Sequence, residues 1–455
     1  MSDTPVPFSK SVPLYLLVAV ALLGAGEKAT EALRAGGPIN GADVAWMLTA
    51  SALVLLMTPG LSFFYGGMVA KKNVISTMLQ SFIAMGVISL VWMTVGFSLA
   101  FGDSVNGLIG SPMTYFMFRH VTTATDTSLS PTIPLMLFAI FQLKFAIITP
   151  ALITGSFAER VRFSSYLLFI VLFSLFVYAP LAHWTWHPEG FLRQWGVLDF
   201  AGGTVVHLSA GVAALAGALV LGRRKAHIEG ATHVPANIPF VVLGTGMLWF
   251  GWFGFNAGSA LAANESAVGA FLTTNAACAA AMLMWLFLDM AAGRKPSALG
   301  ACIGAVVGLV AITPAAGFVS SGASIAIGVI ASVISNYAVN LRTRSNVDDT
   351  LDVFPCHGVG GIVGMILTGV FAKDVGLIYG ETHTFLVHLG GLAIATVYTF
   401  VVSYILFKMV DMLVPLRVTA EQEELGLDIS QHGETMSSKG VVSHIDAARA
   451  MLKAA

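Results

Sequence analysis

Charge is scarce in this sequence. Only 10% of its 455 residues are Asp, Glu, Lys or Arg while 56% are hydrophobic, too few charges to cover a chain of this length in water, so a soluble globular domain is excluded. Neither sign dominates: the formal net charge is -1, which leaves no electrostatic footprint for a nucleic-acid backbone. Cysteine is nearly absent. Cys278, Cys302 and Cys356 lie in apolar runs without disulfide-like or metal-ligand spacing, which makes them small packing residues. No Ser/His nucleophile arrangement stands out either, so an intramembrane enzyme is a distant reading and no metal or cofactor is expected.

What the chain has is long apolar runs. A helix needs about 20 residues to cross the hydrocarbon core, and the runs between charged or Pro/Gly-marked breaks give eleven candidates, near 43-67, 75-101, 132-157, 163-182, 203-222, 237-258, 269-292, 298-313, 321-341, 356-372 and 385-413. The expected fold is an all-α polytopic membrane protein with eleven transmembrane helices. Lys71/Lys72, Arg160/Arg162, Arg223/Arg224/Lys225, Arg294/Lys295 and Arg342/Arg344 occupy alternate loops, whereas the intervening loops carry only Arg119, Arg193 and Lys373. The positive-inside rule then puts the N-terminus outside and the C-terminal tail in the cytoplasm, as expected for a cell (inner) membrane protein.

Three regions follow: an N-terminal segment 1-41, the helical domain 42-413 and a polar tail 414-455. Residues 11-25, "SVPLYLLVAVALLGA", read as the h-region of a signal peptide or a loosely attached helix more than as a full span. The tail is expected to hold one short helix at 443-454.

The domain repeats itself. "HLSAGVAALAGALVLG" from His207 and "HGVGGIVGMILTGVF" from His357 both start at a histidine, continue with small residues and follow an aspartate, Asp199 or Asp352. They fall in the fifth and tenth spans, so the repeats are inverted, with five helices each and a final long helix. One such histidine alone reads as a core residue bonded to a carbonyl; two in equivalent positions point to a pair near the pseudo-twofold axis. Neutral imidazoles can share a hydrogen bond and relay a proton without a counter-ion. Asp199, before "FAGG", is placed to accept N–H bonds at a helix start, and Asp352, before "VFPCH", is read as its counterpart.

The runs "TPGLSFFYGGMVAKKNV", "GSFAERVRFS", "LDFAGGTVVH", "GWFGFNAGSALAANE", "GRKPSALGACIGAVVGLVAITPAAG" and "DVFPCHGVGGIVG" resemble the ammonium transporter (Amt/Mep/Rh) family, in its bacterial Amt branch. The resemblance runs from about residue 42 to 434. It implies a recruitment site for ammonium at Phe141, Trp186 and Ser259, a gate of Phe145 and Phe255, and a pore lined by His207 and His357. Spacing agrees with that order: Phe141 and Phe145 lie four apart on one helix, Phe255 and Ser259 four apart on another of opposite direction, so Phe141 and Ser259 form the outer layer.

The chemistry implied is recruitment of NH4+ by aromatic faces and a hydroxyl, deprotonation at the gate, and passage of NH3 through an apolar pore, with a separate proton route by family resemblance. Alternatives are an ammonium sensor with little flux and an Rh-like neutral gas channel. The tail segment "LRVTAEQEELGLDISQHGE" resembles the family's C-terminal segment, which implies a homotrimer and control by a P-II signalling protein. Two features stand apart. His183 and His187, four apart, read as an interfacial loop rather than a metal pair. Lys144, beside Phe145, departs from the small or apolar residue expected there; the adjacent position is turned about 100° from the pore face, and two readings stay open, Glu or carbonyl partners between helices or subunits, or a charge at the pore that would repel ammonium.

Overall fold

The computed structural model describes residues 8–231 and 233–436, with side chains from Val12 onward. The helix expected at 443-454 lies outside the described residues. In hydrocarbon no water satisfies backbone N–H and C=O groups, so a sequence this apolar folds into helices that satisfy their own. After α1 (Phe8–Ala25) come α2 (Gly41–Met68), α3 (Lys71–Phe101), α4 (Leu135–Ser156), α5 (Phe163–Trp195, interrupted at residues 187–190), α6 (Gly203–Leu221), α7 (Ile238–Gly258), α8 (Glu265–Ala291), α9 (Ala298–Ile312), α10 (Ser321–Thr343), α11 (Phe354–Phe371) and α12 (His383–Leu413). Polar residues cap several starts: Asn40 accepts from the Ala42 and Asp43 N–H groups, Asn237 from Phe240, Asn264 from Ala267 and Ser320 from Ala323.

Among the described residues, ten helices from α2 to α12 are long and apolar enough to cross a membrane. The exception is α9, the eighth expected span. It has 15 residues, about 22 Å of rise against a core of about 30 Å. Thr313 and Pro314 end it in turns that run to Phe318, since proline has no N–H to continue the ladder.

Hydrogen bonds knit the loops into two sets. On one face Arg224 donates to Glu159 at 2.6 Å and Asp348 at 2.8 Å, and Arg342 pairs with Asp352 at 2.7 Å. On the opposite face Leu198 N–H donates to His388, Phe200 N–H to the Pro314 carbonyl and Ala263 N–H to Asp43. The first set holds most of the basic loops, as the charge alternation expects, but its charges are less solvated than loop charges usually are. Arg160 is fully buried and donates to the Asp348 carbonyl and Thr350 Oγ1. Burial pushes the Asp348 carboxyl up, yet the Arg224 hydrogen bond and the Arg160 and Arg224 charges outweigh it and hold it at about 2. Removing either partner of such a cluster leaves an uncompensated buried charge.

The two repeats meet through their first and fifth members. α2 packs along α7, where a Cβ on Gly244 would strike the Phe64 backbone, and α6 crosses α11, where a Cβ on Gly211 would run into the Gly358 backbone. Both α6 and α11 open with a π-helical turn, Gly203–Leu208 and Phe354–Val359, carrying His207 and His357.

Two segments lie beside this bundle. α1 is apolar and exposed along almost its whole length, with Leu14 at 60% and Leu22 at 70%. The strap after it is tied to the opposite face: Arg119 holds Glu27 in two bonds of 2.6 and 2.7 Å, Arg34 pairs with Asp103, and Ala35 bridges to Asp126. That face also carries two short hairpins, Ser104–Val105 with Ile109–Gly110 and Thr125–Asp126 with Ser130–Pro134. The tail returns along the basic face. Its helix α13 (Ala420–Leu425) starts in a Thr419/Gln422 capping box, Lys72 donates to the Glu423 and Glu424 carbonyls, and Asp428 accepts from Ser76 N–H at the start of α3.

Candidate functional site

A cavity of about 440 Å³ opens on the face opposite the basic loops. α4 presents Phe138, Gln142 and Phe145 to it, residues at i, i+4 and i+7 on one side of a helix. α5 adds Thr185 and Trp186, and Ser259 follows the end of α7. Trp186 is held in place by donating from Nε1 to the Asp199 carbonyl at 3.1 Å. Ser259 Oγ donates to the Phe255 carbonyl at 2.9 Å, which commits its proton and leaves its lone pairs free to accept.

The floor of the cavity is closed. Phe145 and Phe255 face one another at 4.1 Å between ring centroids, tilted by 32°, and neither is more than 1% exposed. Phe145 also meets Trp186 edge-on at 5.8 Å and Phe141 at 5.0 Å. Phe141 itself is fully buried and outside the cavity lining: it stands behind Phe145 and against Gly258, where a Cβ would come within 2.8 Å of its ring. The structure therefore brings Trp186, Ser259, Phe145 and Phe255 together at one mouth, with Phe141 as the support of Phe145.

Beneath the two rings lies a cavity of about 10 Å³, lined by apolar side chains such as Leu61, Ile148 and Leu248 together with Trp252, His207 and His357. That is space for about one water-sized molecule. The histidines, 150 residues apart, approach Nδ1 to Nδ1 at 3.3 Å. Such a bond requires one Nδ1–H and one bare Nδ1, so both rings cannot be imidazolium at once. Trp252 stacks on His207 at 5.2 Å, and Phe255 lies 6.0 Å from the same ring, so the phenylalanine pair and the histidines form one column. His207 Nε2 is buried and has no protein partner among the described residues. Trp252 escaped the sequence reading, although Trp252, Phe255 and Ser259 share one face of α7 at i, i+3 and i+7.

Asp199 holds the start of α6. Its Oδ1 accepts from the Gly202 and Gly203 N–H groups at 2.8 and 2.7 Å, and its Oδ2 from Thr204 and Val205 at 2.8 and 3.4 Å. Burial pushes the carboxyl up from its ordinary value, against the downward pull of those four donors. Its counterpart in the second repeat is Asp349, which accepts from the Val353 and Phe354 N–H groups at 3.1 and 2.7 Å. This corrects the expectation for Asp352, which turns to Arg342 with a left-handed φ of 57°. The signal was present in the spacing: Asp199 precedes His207 by eight residues, and Asp349 precedes His357 by eight.

The remaining candidates lie off this column. His183 is bonded at both nitrogens, to Ser104 Oγ at 2.8 Å and the Ala100 carbonyl at 3.0 Å, and His187 stacks on it and accepts from Glu189 N–H. Neither arrangement aims two bare nitrogens at one point, and no three-residue metal cluster occurs among the described residues. Lys144 is half-buried, has no hydrogen-bond or ion-pair partner among the described residues, and shares the α4 face of the exposed Met136 and Ile140, away from both cavities. An unpaired lysine at mid-helix is unfavourable by about 2.5–3.5 kcal/mol on insertion scales. Lys144→Met is therefore expected to raise the melting temperature in lipid and to leave transport within about twofold of wild type. A large loss of transport in that variant, measured on the same preparation, would put Lys144 back in the path.

Comparison with known proteins bears on what this column handles. Residues 45–437 match the model of the Ammonium Transporter Family. An ammonium transporter of Aquifex aeolicus (strain VF5) is 49% identical over 400 residues, covering 86% of this chain and 92% of that one. Among solved structures, Mep2 of Saccharomyces cerevisiae superposes with a TM-score of 0.81 at 37% identity, over 88% of this chain and 93% of that one. A structure named "Sensor Amt Protein" superposes with a TM-score of 0.80 at 31% identity, over 86% and 98%.

Proposed function

The chain belongs to the ammonium transporter family, and from that premise we propose that it recruits NH4+ at the mouth formed by Trp186 and Ser259 with Phe141 behind, removes its proton at the Phe145/Phe255 gate, and passes NH3 along His207 and His357. The observation that carries this reading is the closed phenylalanine pair, 4.1 Å apart, over a small apolar cavity whose polar groups come from a histidine pair. An ion entering that cavity loses its hydration without a counter-charge, which is strongly unfavourable, whereas a neutral amine loses far less. Ammonium alone among common monovalent cations becomes neutral by giving up a proton.

Each part has a stated task. The π-faces of Trp186 and Phe145 and the lone pairs of Ser259 replace water around the cation. The imidazole pair then offers NH3 both a donor and an acceptor, and its shared hydrogen bond supplies a proton route separate from the amine. The positive-inside distribution of Lys and Arg assigns the recruiting mouth to the outside of the cell (inner) membrane and the tail to the cytoplasm. We further assign a homotrimeric assembly and P-II control at the tail, both by family resemblance.

The sensor reading draws on the likeness to the "Sensor Amt Protein" structure. Current on solid-supported membranes carrying the purified protein separates the readings. A sustained current after an ammonium pulse is the expected result. A brief binding transient without sustained current overturns transport in favour of sensing, and internal alkalinisation without current favours a neutral gas channel.

A further inference from the structure

Two polar side chains stand on the outside of the bundle at mid-span. Lys144 on α4 is half-buried and Asn275 on α8 is exposed, and neither has a hydrogen-bond or ion-pair partner among the described residues. Among those residues they are the two Asn, Gln, His or charged side chains that lie at least eight residues from both ends of a span without being buried. Polar groups at this depth are unfavourable in hydrocarbon and mark a pathway or a contact, and neither residue lines the outer cavity or the small one beneath it. Lys144, nine residues from the Leu135 end of its span and twelve from the Ser156 end, is too deep to reach the interface by snorkelling.

The two lie at one depth. Lys144 precedes Phe145, whose ring faces Phe255 at 4.1 Å. Phe255 precedes Asn256, whose Nδ2 donates to Thr274 Oγ1 at 2.8 Å, and Thr274 precedes Asn275. This chain of contacts crosses the bundle at the level of the phenylalanine pair and ends on different flanks, since α4 packs against α2, α3 and α6 whereas α8 packs against α7, α9 and α10. Each polar group has an apolar collar: Met136 and Ile140 are exposed on the turns before Lys144, and Val268, Phe271 and Leu272 on the turns before Asn275. Ala279, one turn after Asn275, leaves room for a neighbouring helix to approach closely.

We propose that Lys144 Nζ of one copy donates to Asn275 Oδ1 of a second copy, joining the α4 flank of each chain to the α8 flank of the next. The occupant is a second copy rather than lipid, because acyl chains offer the ammonium group no acceptor and the amide no donor, whereas this chain presents both at matching depth within matching collars. Two different flanks in contact make a heterologous interface, the kind that closes rings. The inference deepens the homotrimeric reading by naming a contact, and rests on it for the number of copies alone. A hydrogen bond between helices returns less in lipid than a mid-span lysine loses on insertion. The contact therefore fixes register at a cost in stability, in keeping with the higher melting temperature expected for Lys144→Met.

The test is thiol cross-linking of the full chain in its membrane. Lys144→Cys combined with Asn275→Cys, treated with a short bis-methanethiosulfonate reagent, is expected to give bands at two and three chain masses. Either single variant is expected to stay at one, since Cys278, Cys302 and Cys356 are buried. Lys144→Cys combined with Phe287→Cys, an exposed position twelve residues further along α8 and about 18 Å away, is expected to give no link. Absence of linked bands from the first pair, or equal linking by both pairs, overturns the proposal. A charge exchange reads the hydrogen bond itself. Asn275→Asp sets a carboxylate opposite the lysine and is expected to reach the membrane within about twofold of wild type, whereas Lys144→Met with Asn275→Asp strands that carboxylate and is expected to fall at least about fivefold. Equal yields of the two overturn the pairing. Native mass spectrometry from lipid separates this inference from the assembly it deepens: an assembled protein that fails to link removes the contact and leaves the homotrimer standing, while a single-chain mass removes both.

Discussion

His207→Ala should reduce the sustained ammonium current by at least about fivefold while the protein still folds. The imidazole is one half of the 3.3 Å Nδ1 pair with His357 and is stacked on Trp252. Without it the passage beneath the gate loses half of its hydrogen-bonding capacity, and His357 Nδ1 loses its partner. An unmade hydrogen bond in a buried setting is unfavourable by about 1–3 kcal/mol, a factor of roughly five to a hundred and fifty in rate if it is felt at the barrier. The surrounding wall consists of Met57, Leu61, Phe64, Ile148, Leu152, Leu248 and Val306, none of which replaces it. His357→Ala is expected to act in the same direction, since the pair is a unit. Thermal melting followed on the same samples separates loss of path from loss of fold, and a variant with wild-type current would take His207 out of the path.

Asp199→Ala should be the most damaging single change to the fold itself. Four backbone N–H groups at the start of α6 depend on that carboxylate, and the left-handed Gly202, at φ 117°, leaves them aimed at it and at nothing else. Each orphaned buried donor is unfavourable by about 1–3 kcal/mol. The sum rivals the whole stability margin of about 5–15 kcal/mol for a typical domain. The expected outcome is little or no folded protein in the membrane fraction. Asp199→Asn, which keeps one acceptor oxygen, should recover part of the yield. Asp349→Ala should be milder, because two donors rather than four rely on it. Equal yields of wild type and Asp199→Ala, read by fluorescence-detected gel filtration, would contradict the capping account.

The sequence carries these features unevenly. Asp199 is legible because a short polar side chain three residues before two glycines and an apolar run has one obvious local use. Asp349 is not, because Asp348, Asp349 and Asp352 crowd the equivalent position and the local pattern does not say which of them faces the helix start. Only the shared interval to His207 and His357 does. The four-residue spacing of Phe141 and Phe145 correctly places them on neighbouring turns, yet it leaves open which way that stripe is rotated. Packing against Gly258 turns Phe141 inward and gives the cavity to Phe138, Gln142 and Phe145.

Arg160 and Arg224 mark a different limit. Basic residues between spans read as solvated loop charges, and their count orients the chain well. Their burial depends on Asp348, which lies 188 and 124 residues away in sequence, a pairing that no local pattern announces. The short α9 is set by Pro314 and the turns after it, and the expected run 298-313 already stops at that proline; what the apolar run does not announce is that 15 residues fall short of a full span. Lys144 needed the structure outright: its angle from Phe145 excludes the gate, and only its position beside Met136 and Ile140 shows the face it occupies.

The central claim is that the space below Phe145 and Phe255 admits the neutral amine and no ion. Potassium is the sharpest test of it, being close to ammonium in size and attracted by the same aromatic faces, but without N–H donors or a proton to lose. The measurement is the sustained current of the wild-type protein on solid-supported membranes after a saturating potassium pulse, set beside the ammonium current on the same sensor. The account predicts an ammonium current and no sustained potassium current. A potassium current of comparable size would mean that hydrated or bare ions pass the gate, and would contradict it.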